Sequence, residues 1–175
     1  MRIALTIAGS DSGGGAGIQA DLKTFQRYGV FGTSVVTAVT AQNTLGVLAV
    51  HAVPVEMVLA QLAALAVDLP AAACKTGMLA TAELVEAVAG ALDPAIPCVC
   101  DPVMVATSGD RLLQPSAERA VRERLVPRAA LLTPNLEEAA LLAGLPVTDP
   151  ASMERAGRAL IERGAGAALI KGGHL

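Results

Sequence analysis

Residues 8–25 read Ala8-Gly-Ser-Asp-Ser-Gly-Gly-Gly-Ala-Gly-Ile-Gln-Ala-Asp-Leu-Lys-Thr-Phe25, a glycine-rich segment that follows a short apolar run. Apolar residues at Ile18, Leu22 and Phe25 then recur at helical spacing. The segment therefore predicts a strand, a glycine loop and a helix. Glycines let the backbone turn tightly and approach a ligand. Free backbone N–H groups at the start of a helix favour polar or anionic ligands.

Known kinds of glycine loop fit this pattern only in part. A Walker A loop is excluded because it ends in Gly-Lys-Ser/Thr, which is absent here. A dinucleotide-binding fingerprint fits only as Gly15-Ala-Gly17-Ile-Gln-Ala20, and residues 33–42 lack the acidic residue that it requires. From this segment alone, a turn without a ligand and a small-molecule site both remain open.

Length and composition indicate one α/β domain over residues 1–175. Apolar residues make up 53% and aromatic residues only 2%, which suits buried parallel strands covered by helices. The net charge of −3 without a basic stripe argues against nucleic-acid binding. No apolar run is long enough to span a membrane, and no signal-peptide pattern is found. Cys74, Cys98 and Cys100 form no zinc or disulfide pattern, so we expect core cysteines and a cytoplasmic protein.

Strand and helix patterns alternate along the chain, and this predicts a doubly wound, mostly parallel sheet with helices on both faces. Predicted strands cover residues 3–7, 32–39, 72–76, 97–101, 131–133 and 167–170, with an edge strand or flap at 45–53. A polar loop is expected at 40–44. Predicted helices cover residues 55–67 (well buried), 115–125, 134–142 (Pro134 near its first position, ending at Gly144) and 153–163 (capped by Ser152), and Thr81 caps another.

Polar residues follow one predicted strand after another, at the strand ends where doubly wound sheets bind ligands. They are Ser10, Asp11, Gln42, Asn43, Lys75, Asp101, Asn135, Glu138 and Lys171. Asp101 is either an Asp-Pro turn or a carboxylate for Mg²⁺. Asn135 and Glu138 form either a helix start or a metal and phosphate site. Lys171, which precedes Gly172 and Gly173, is either an ordinary strand-end lysine or a phosphate contact.

Gln42 offers a hydrogen-bond donor and acceptor side by side, which matches the edge of an aminopyrimidine better than a sugar or a phosphate. Met78 could then cover the face of a flat ring, although core filling is the simpler interpretation without Gln42 beside it.

Together these motifs resemble the bacterial hydroxymethylpyrimidine/phosphomethylpyrimidine kinases of thiamine biosynthesis, in the ribokinase superfamily. The segments that carry the resemblance are 8–21, Thr40-Ala-Gln-Asn-Thr44, Lys75-Thr-Gly-Met-Leu79, Asp101-Pro-Val-Met104, Thr133-Pro-Asn-Leu-Glu-Glu-Ala139 and Lys171-Gly-Gly-His174. Each motif alone is modest, but their order and spacing make the set specific.

The resemblance implies two ATP-dependent phosphorylations, of 4-amino-5-hydroxymethyl-2-methylpyrimidine and then of its monophosphate. It implies a pyrimidine pocket formed by Gln42, Gly9, Asp21, Met78 and Val103. By the same resemblance, Asp101 and Glu138 would serve Mg²⁺, Asn135 the nucleotide phosphates and Lys171 the phosphate tail. The expected partners are therefore the pyrimidine and ATP, with a possible homodimer through the apolar segment 45–53.

One departure from the family pattern concerns the last third of its members, where a Gly-Thr-Gly-Cys-type loop supplies the anion hole and the group that activates the hydroxyl. The present sequence ends at Leu175, before that region. We therefore expect the C-terminal part of the fold and the catalytic base to lie beyond Leu175, and the 175-residue chain alone to have weak or no activity.

Alternative functions are a pyridoxal or pyridoxine kinase of the same superfamily, a non-catalytic pyrimidine-binding domain and, least favoured, a dehydrogenase. Gln42 and the short loop 11–17 argue against the pyridoxal kinase.

Overall fold

Six strands form one sheet, connected largely by helices, in a computed structural model that describes residues 1–104 and 115–173. The strands are β1 (Ile3–Ser10), β2 (Phe31–Asn43), β3 (Gly46–Ala52), β4 (Ala73–Thr76), β5 (Cys98–Cys100) and β6 (Leu131–Leu132). The helices are α1 (Gly17–Arg27), α2 (Val55–Asp68), α3 (Ala82–Ala91), α4 (Pro115–Ala120), α5 (Leu136–Ala143) and α6 (Pro150–Glu162). The α/β class predicted from the sequence is thus confirmed.

The strand order is β3-β2-β1-β4-β5-β6, so the chain leaves β1 toward one edge and later resumes on its other side. All neighbouring pairs are parallel except β2 with the edge strand β3. The reversal of direction lies between β1 and β4. In open α/β sheets a crevice for ligands forms outside the carboxyl ends of the strands at such a switch point.

Alternate residues of β1 face opposite sides of the sheet, and each side is covered by helices. Leu5 and Ile7 belong to the main core together with Val58 of α2 and Val85 of α3. Thr6 between them donates a hydrogen bond of 2.6 Å to an aspartate of α1. The middle of β1 is buried on both faces, as expected for a strand of a sheet that is covered by helices on both sides.

β2 is longer than the sequence predicts and continues through residues that we expected to form a polar loop. Thr40, Ala41, Gln42 and Asn43 all pair with β3, with a β-bulge after Ala41. The turn residues instead follow, where Asn43 Oδ1 accepts hydrogen bonds from the backbone N–H groups of Leu45 and Gly46. Pairing with β3 stabilises polar residues in an extended conformation that local propensity does not predict.

Two helix starts differ from the sequence prediction by a few residues. α5 begins at Leu136 with Asn135 as its N-cap, so Pro134 lies before the helix, and Gly144 ends it in the left-handed conformation, as expected. Asp149 caps α6, and Pro150 lies in the first turn. Ser152 is the third helical residue and forms a reciprocal capping box with Asp149. Asp149 Oδ1 accepts from the Ser152 N–H at 2.7 Å. A proline fits the first helical position, so the cap must precede it. The cap at Thr81 is confirmed.

Three further predictions require correction. α2 is not well buried: only Val58 is buried, and Val67 is 89% exposed. The predicted helix over 115–125 is α-helical only to Ala120, continuing as a π-helical turn and a 3₁₀ turn that contains Pro127. The predicted last strand at 167–170 forms only isolated bridges at Ala168 and Lys171. Apolar composition or periodicity was present in all three segments. For α2 and for residues 167–170, the elements that pack against the segment lie on one side only. After Ala120, the α-helix is interrupted because Pro127 follows.

All three cysteines are buried, which confirms the prediction that they are core residues. Burial raises the pKa of the Cys100 thiol to about 12, an effect that the neighbouring Thr76 side chain offsets only in part. An unreactive thiol is the consequence. Within residues 1–104 and 115–173, no helix has the length and apolar character needed to cross a membrane.

The turn from β1 into α1 depends on Gly17. Its φ is +57°, and a Cβ there would lie 2.3 Å from the carbonyl oxygen of Gly9. We expect Gly17→Ala to lower the free energy of unfolding by roughly 2 kcal/mol or more, because strain and steric overlap act together. Urea denaturation measures this. The matched control is Gly90→Ala in α3, where nothing lies within 4 Å of the added Cβ. It should be neutral or slightly stabilising, and equal losses at both sites would contradict the argument.

Candidate active site

A pocket of about 390 Å³ opens at the switch point, outside the carboxyl ends of β1, β4 and β5. It is lined on one side by every residue predicted to contact a pyrimidine: Gly9, Asp21, Gln42, Met78 and Val103. On the other side lie the residues predicted for phosphate and metal: Asp101, Asn135, Glu138 and Lys171. Residues far apart in the sequence therefore meet in one cavity.

The glycine loop is organised by the carboxylate of Asp11. Asp11 Oδ1 accepts from the Gly13 N–H at 2.8 Å, and Oδ2 accepts from the N–H groups of Gly15 and Ala16 at 2.9 and 2.8 Å. These three N–H groups are therefore engaged within the loop itself. An aspartate within its own loop fills the ring of donors.

Opposing effects set the acidity of Asp11. Burial raises the pKa of its carboxyl group, but the backbone hydrogen bonds from Gly13, Ala16, Gly15 and Gly14 outweigh this and leave the pKa below its ordinary value. The carboxylate is therefore ionised near neutral pH and stabilises the loop in that form.

The pyrimidine side of the pocket has a fixed backbone. The Ser12 hydroxyl donates to the carbonyl oxygen of Gln42 at 2.6 Å and accepts from the Gln42 N–H at 2.8 Å, so the glycine loop is tied to the end of β2. The Thr37 hydroxyl donates to the Met78 carbonyl oxygen at 2.6 Å. A Cβ at Gly9 would lie 3.3 Å from the sulfur of Met78. Gly9 thus leaves the thioether room beside the pocket.

Asp21 does not stand alone in the pocket, because Lys75 binds it in a bidentate ion pair. The ammonium lies 3.0 and 2.9 Å from the two carboxylate oxygens, and the Thr6 hydroxyl donates to the second oxygen at 2.6 Å. Both side chains are largely buried: 22% of the Lys75 side-chain surface and 16% of the Asp21 side-chain surface are exposed. The sequence singled out Lys75 as a polar residue after a strand but predicted no partner for it.

On the phosphate side, Asp101 and Lys171 are paired. Lys171 Nζ lies 2.8 Å from Asp101 Oδ1, and the Thr133 hydroxyl lies 3.3 Å from the same oxygen. The β-bridge between Asn135 and Lys171 brings this lysine beside the start of α5. His174, which belongs to the last motif of the resemblance, lies outside the described residues.

Asn135 and Glu138 form a reciprocal capping box, the helix-start alternative that the sequence left open. Glu138 Oε2 accepts from the Asn135 N–H at 2.8 Å, and Oε1 accepts from the Met104 N–H at 3.2 Å. Burial raises the pKa of the Glu138 carboxyl group, and these backbone hydrogen bonds together with the charge of Lys171 only partly offset the effect.

The chemistry of the donors is compatible with Mg²⁺. The described residues hold no group of three or more His, Cys, Asp or Glu side chains around a common point. Mg²⁺ in phosphoryl-transfer sites is usually held by one or two carboxylates, with phosphate and water as the other ligands. Asp101 and Glu138, which both line this pocket, fit that pattern.

Residues 11–175 match the family described as phosphomethylpyrimidine kinase. The chain belongs to this family. The hydroxymethylpyrimidine/phosphomethylpyrimidine kinase of Haemophilus influenzae is 54% identical over 176 aligned positions, which cover 99% of the present chain. The chain spans 65% of the length of that relative.

Solved structures of related kinases share the fold. The phosphomethylpyrimidine kinase of Clostridium difficile is 42% identical with a TM-score of 0.93, over 100% of the present chain and 77% of its own. The pyridoxal kinase of Staphylococcus aureus, solved with AMP-PCP and pyridoxal, is 35% identical with a TM-score of 0.87, over 99% and 63% of the two chains. The recognition made from the motifs is confirmed, as is the ribokinase-like fold.

Sequence reasoning missed Ser12, Thr40 and Thr133 as residues that shape this pocket, and it missed the pairing of Lys75 with Asp21. Ser12 lies in the glycine loop, and Thr40, Lys75 and Thr133 lie within the motifs that carry the resemblance. Each acts through a partner from another element, and residue type alone does not identify that partner.

The ionisation of Asp11 leads to a testable dependence of stability on pH. Its pKa is lower in the folded protein, so its contribution is fully present above its unfolded pKa of about 4 and is lost as the pH falls through the folded value. We expect Asp11→Asn to lower the free energy of unfolding by roughly 2 kcal/mol at pH 7, because charge-assisted hydrogen bonds are lost. The difference from the unaltered chain should shrink as the pH falls below about 4.

Urea denaturation at several pH values measures both effects. Asp68→Asn, which removes an exposed aspartate at the end of α2, is the matched control and should give little change. A difference between Asp11→Asn and the unaltered chain that stayed constant from pH 7 to pH 3 would contradict the role of the ionised carboxylate.

Proposed function

We propose that this protein transfers the γ-phosphoryl group of ATP to the hydroxymethyl group of 4-amino-5-hydroxymethyl-2-methylpyrimidine, and that it then phosphorylates the monophosphate to the diphosphate. The observation that carries the proposal is the gathering of two side-chain amides, one methionine and two acid–lysine pairs in a single pocket at the switch point. The 54% identity with a relative of that name supports it.

The ring would bind on the side of the pocket formed by Gln42, Met78 and Gly9. The Gln42 amide can pair with an amino group and a ring nitrogen, and the Met78 thioether can cover the ring face. Asp21, whose carboxylate is paired with Lys75, adds an acceptor on the same side. The hydroxymethyl group would then point toward the phosphate side.

On the phosphate side, Lys171 would neutralise the charge of the ATP phosphates, and Asn135 would contact them from the start of α5. Asp101 and Glu138 would hold Mg²⁺, which when bound neutralises phosphate charge and orients the oxygens. Catalysis of phosphoryl transfer is mainly positioning and charge stabilisation, which such groups supply. Since Lys171 is paired with Asp101 at 2.8 Å, phosphate and metal would exchange this ion pair for new partners.

Binding of the ring is the first prediction of this proposal. Calorimetric titration with 4-amino-5-hydroxymethyl-2-methylpyrimidine should give saturable binding, and Gln42→Ala should weaken it by tenfold or more, about 1.4 kcal/mol. Gln26→Ala, an exposed glutamine of α1, is the control and should bind normally. Equal affinities of the unaltered chain and Gln42→Ala would refute the assignment of Gln42.

A coupled ATP assay with the pyrimidine and pyridoxal side by side tests the reaction. Pyridoxal kinase is the second candidate because its solved structures share the fold at 35–38% identity. The higher identity with pyrimidine kinases favours phosphorylation of the pyrimidine. A preference for pyridoxal would reverse the order of the two candidates, and ring binding without phosphoryl transfer would favour a non-catalytic pyrimidine-binding domain.

We also propose that the protein acts in the cytoplasm, where unpaired cysteines stay reduced.

We further propose that the protein forms a homodimer through its β3 edge. Leu48 and Val50 of β3 are 80% and 41% exposed, and an open edge strand readily pairs with another chain. Light scattering should show a dimer, and Leu48→Lys should shift it toward the monomer without unfolding. A monomer at high concentration in the unaltered chain would exclude this contact.

A further inference from the structure

Thr40 and Gln42 lie two residues apart on β2, so their side chains share the face of the strand that lines the pocket. A β-bulge follows: Ala41 pairs with Ala49, but Gln42 pairs with Val47, which leaves Leu48 as the extra residue of β3. The two hydrogen bonds between Ser12 and the Gln42 backbone fix the base of the side chain. The contacts that the side chain itself makes then determine how its terminal amide is oriented.

The hydroxyl of Thr40 determines that orientation. Thr40 Oγ1 lies 2.9 Å from the carbonyl oxygen of Ser10 and 3.2 Å from Oε1 of Gln42. A hydroxyl has one hydrogen to donate and two lone pairs to accept with. The shorter contact uses the hydrogen, because a backbone carbonyl can only accept. Two oxygens would then face each other at 3.2 Å, unless the Gln42 amide turns half a revolution and donates from Nε2 to Thr40.

In the turned orientation, Oε1 of Gln42 takes the place that Nε2 occupied before. Among residues 1–104 and 115–173, that end of Gln42 has no hydrogen-bond partner, and the residue lines the pocket. We propose that Thr40 is a positioning residue that presents the Gln42 carbonyl oxygen to the ring and so makes the pocket select a 4-amino over a 4-oxo pyrimidine. This inference rests on the proposed function and deepens it.

The selectivity follows from hydrogen-bond polarity. A 4-amino group donates to the Gln42 oxygen, and the orientation is held because Nε2 is engaged with Thr40. A 4-oxo ring presents an acceptor at that position, and two acceptors without a hydrogen between them disfavour binding. Sites built around a defined donor and acceptor reject analogues of the wrong polarity much more strongly than apolar pockets do. Without the Thr40 hydroxyl, the amide can turn to serve either ring.

The test measures dissociation constants of two probes by calorimetry: 4-amino-5-hydroxymethyl-2-methylpyrimidine and 5-hydroxymethyl-2-methylpyrimidin-4-one. The unaltered chain should prefer the amino ring by tenfold or more. In Thr40→Val, which keeps the shape and removes the hydroxyl, the preference should fall by about tenfold, with the 4-oxo ring binding more tightly than before. Thr40→Ser restores the hydroxyl and should keep the preference within about twofold of the unaltered chain.

Thr33→Val is the matched control, since this buried threonine of β2 bonds the carbonyl oxygen of Ala4 and not the pocket. It should leave both affinities unchanged. An unchanged preference in Thr40→Val, or its loss in Thr40→Ser as well, would overturn the role of the hydroxyl while the proposed function stands. Failure of the unaltered chain to bind the amino ring would overturn the proposed function, and the present inference with it.

Discussion

The parallel pairing of β1 with both β2 and β4 is the constraint on which the site depends. It makes β1 the central strand and places the reversal of strand order beside its carboxyl end. Because parallel strands end at the same edge, the residues that follow β1, β4, β5 and β6 converge there. Lys171 reaches Asp101 across 70 positions of sequence for this reason. Without that topology, the polar residues would be isolated turns at separate ends of strands.

The glycine loop contributes by shape and not by open donors. Asp11 takes the N–H groups of Gly13, Gly15 and Ala16, so the loop carries its own anion. The close packing of Gly17 against the backbone of Gly9 and the ties from Ser12 to Gln42 make the loop a rigid wall of the pocket. The proposed phosphate site accordingly lies at the start of α5 and Lys171, away from this loop.

Two lysine–carboxylate pairs lie in the pocket. Lys75 neutralises Asp21, and Lys171 neutralises Asp101. The two pairs differ in accessibility: Lys171 is 45% exposed, whereas Lys75 is 22% exposed. Under the proposed function, the more exposed pair would exchange its partners for phosphate and metal, and the more buried pair would keep its geometry beside the ring.

The amino-acid sequence by itself determined the α/β class, the order of the strands and helices and the residue types of the pocket. These follow from local signals: apolar periodicity, the cap at Thr81, the glycine after α5 and polar residues placed after strands. It also predicted which residues meet, because motif spacing resembled a known family.

Only the tertiary structure decided how those residues are partnered. Gln42 lies on a strand and not in a loop because β3 pairs with it, and Asp149 replaces Ser152 as a cap because Pro150 occupies the first turn. α2 remains exposed because its apolar residues surround the helix while the sheet covers one side only. The pairing of Asp21 with Lys75 and the capture of the loop by Asp11 depend on distances across the fold. A hydrogen bond needs two groups within about 3 Å, and sequence spacing does not give that distance.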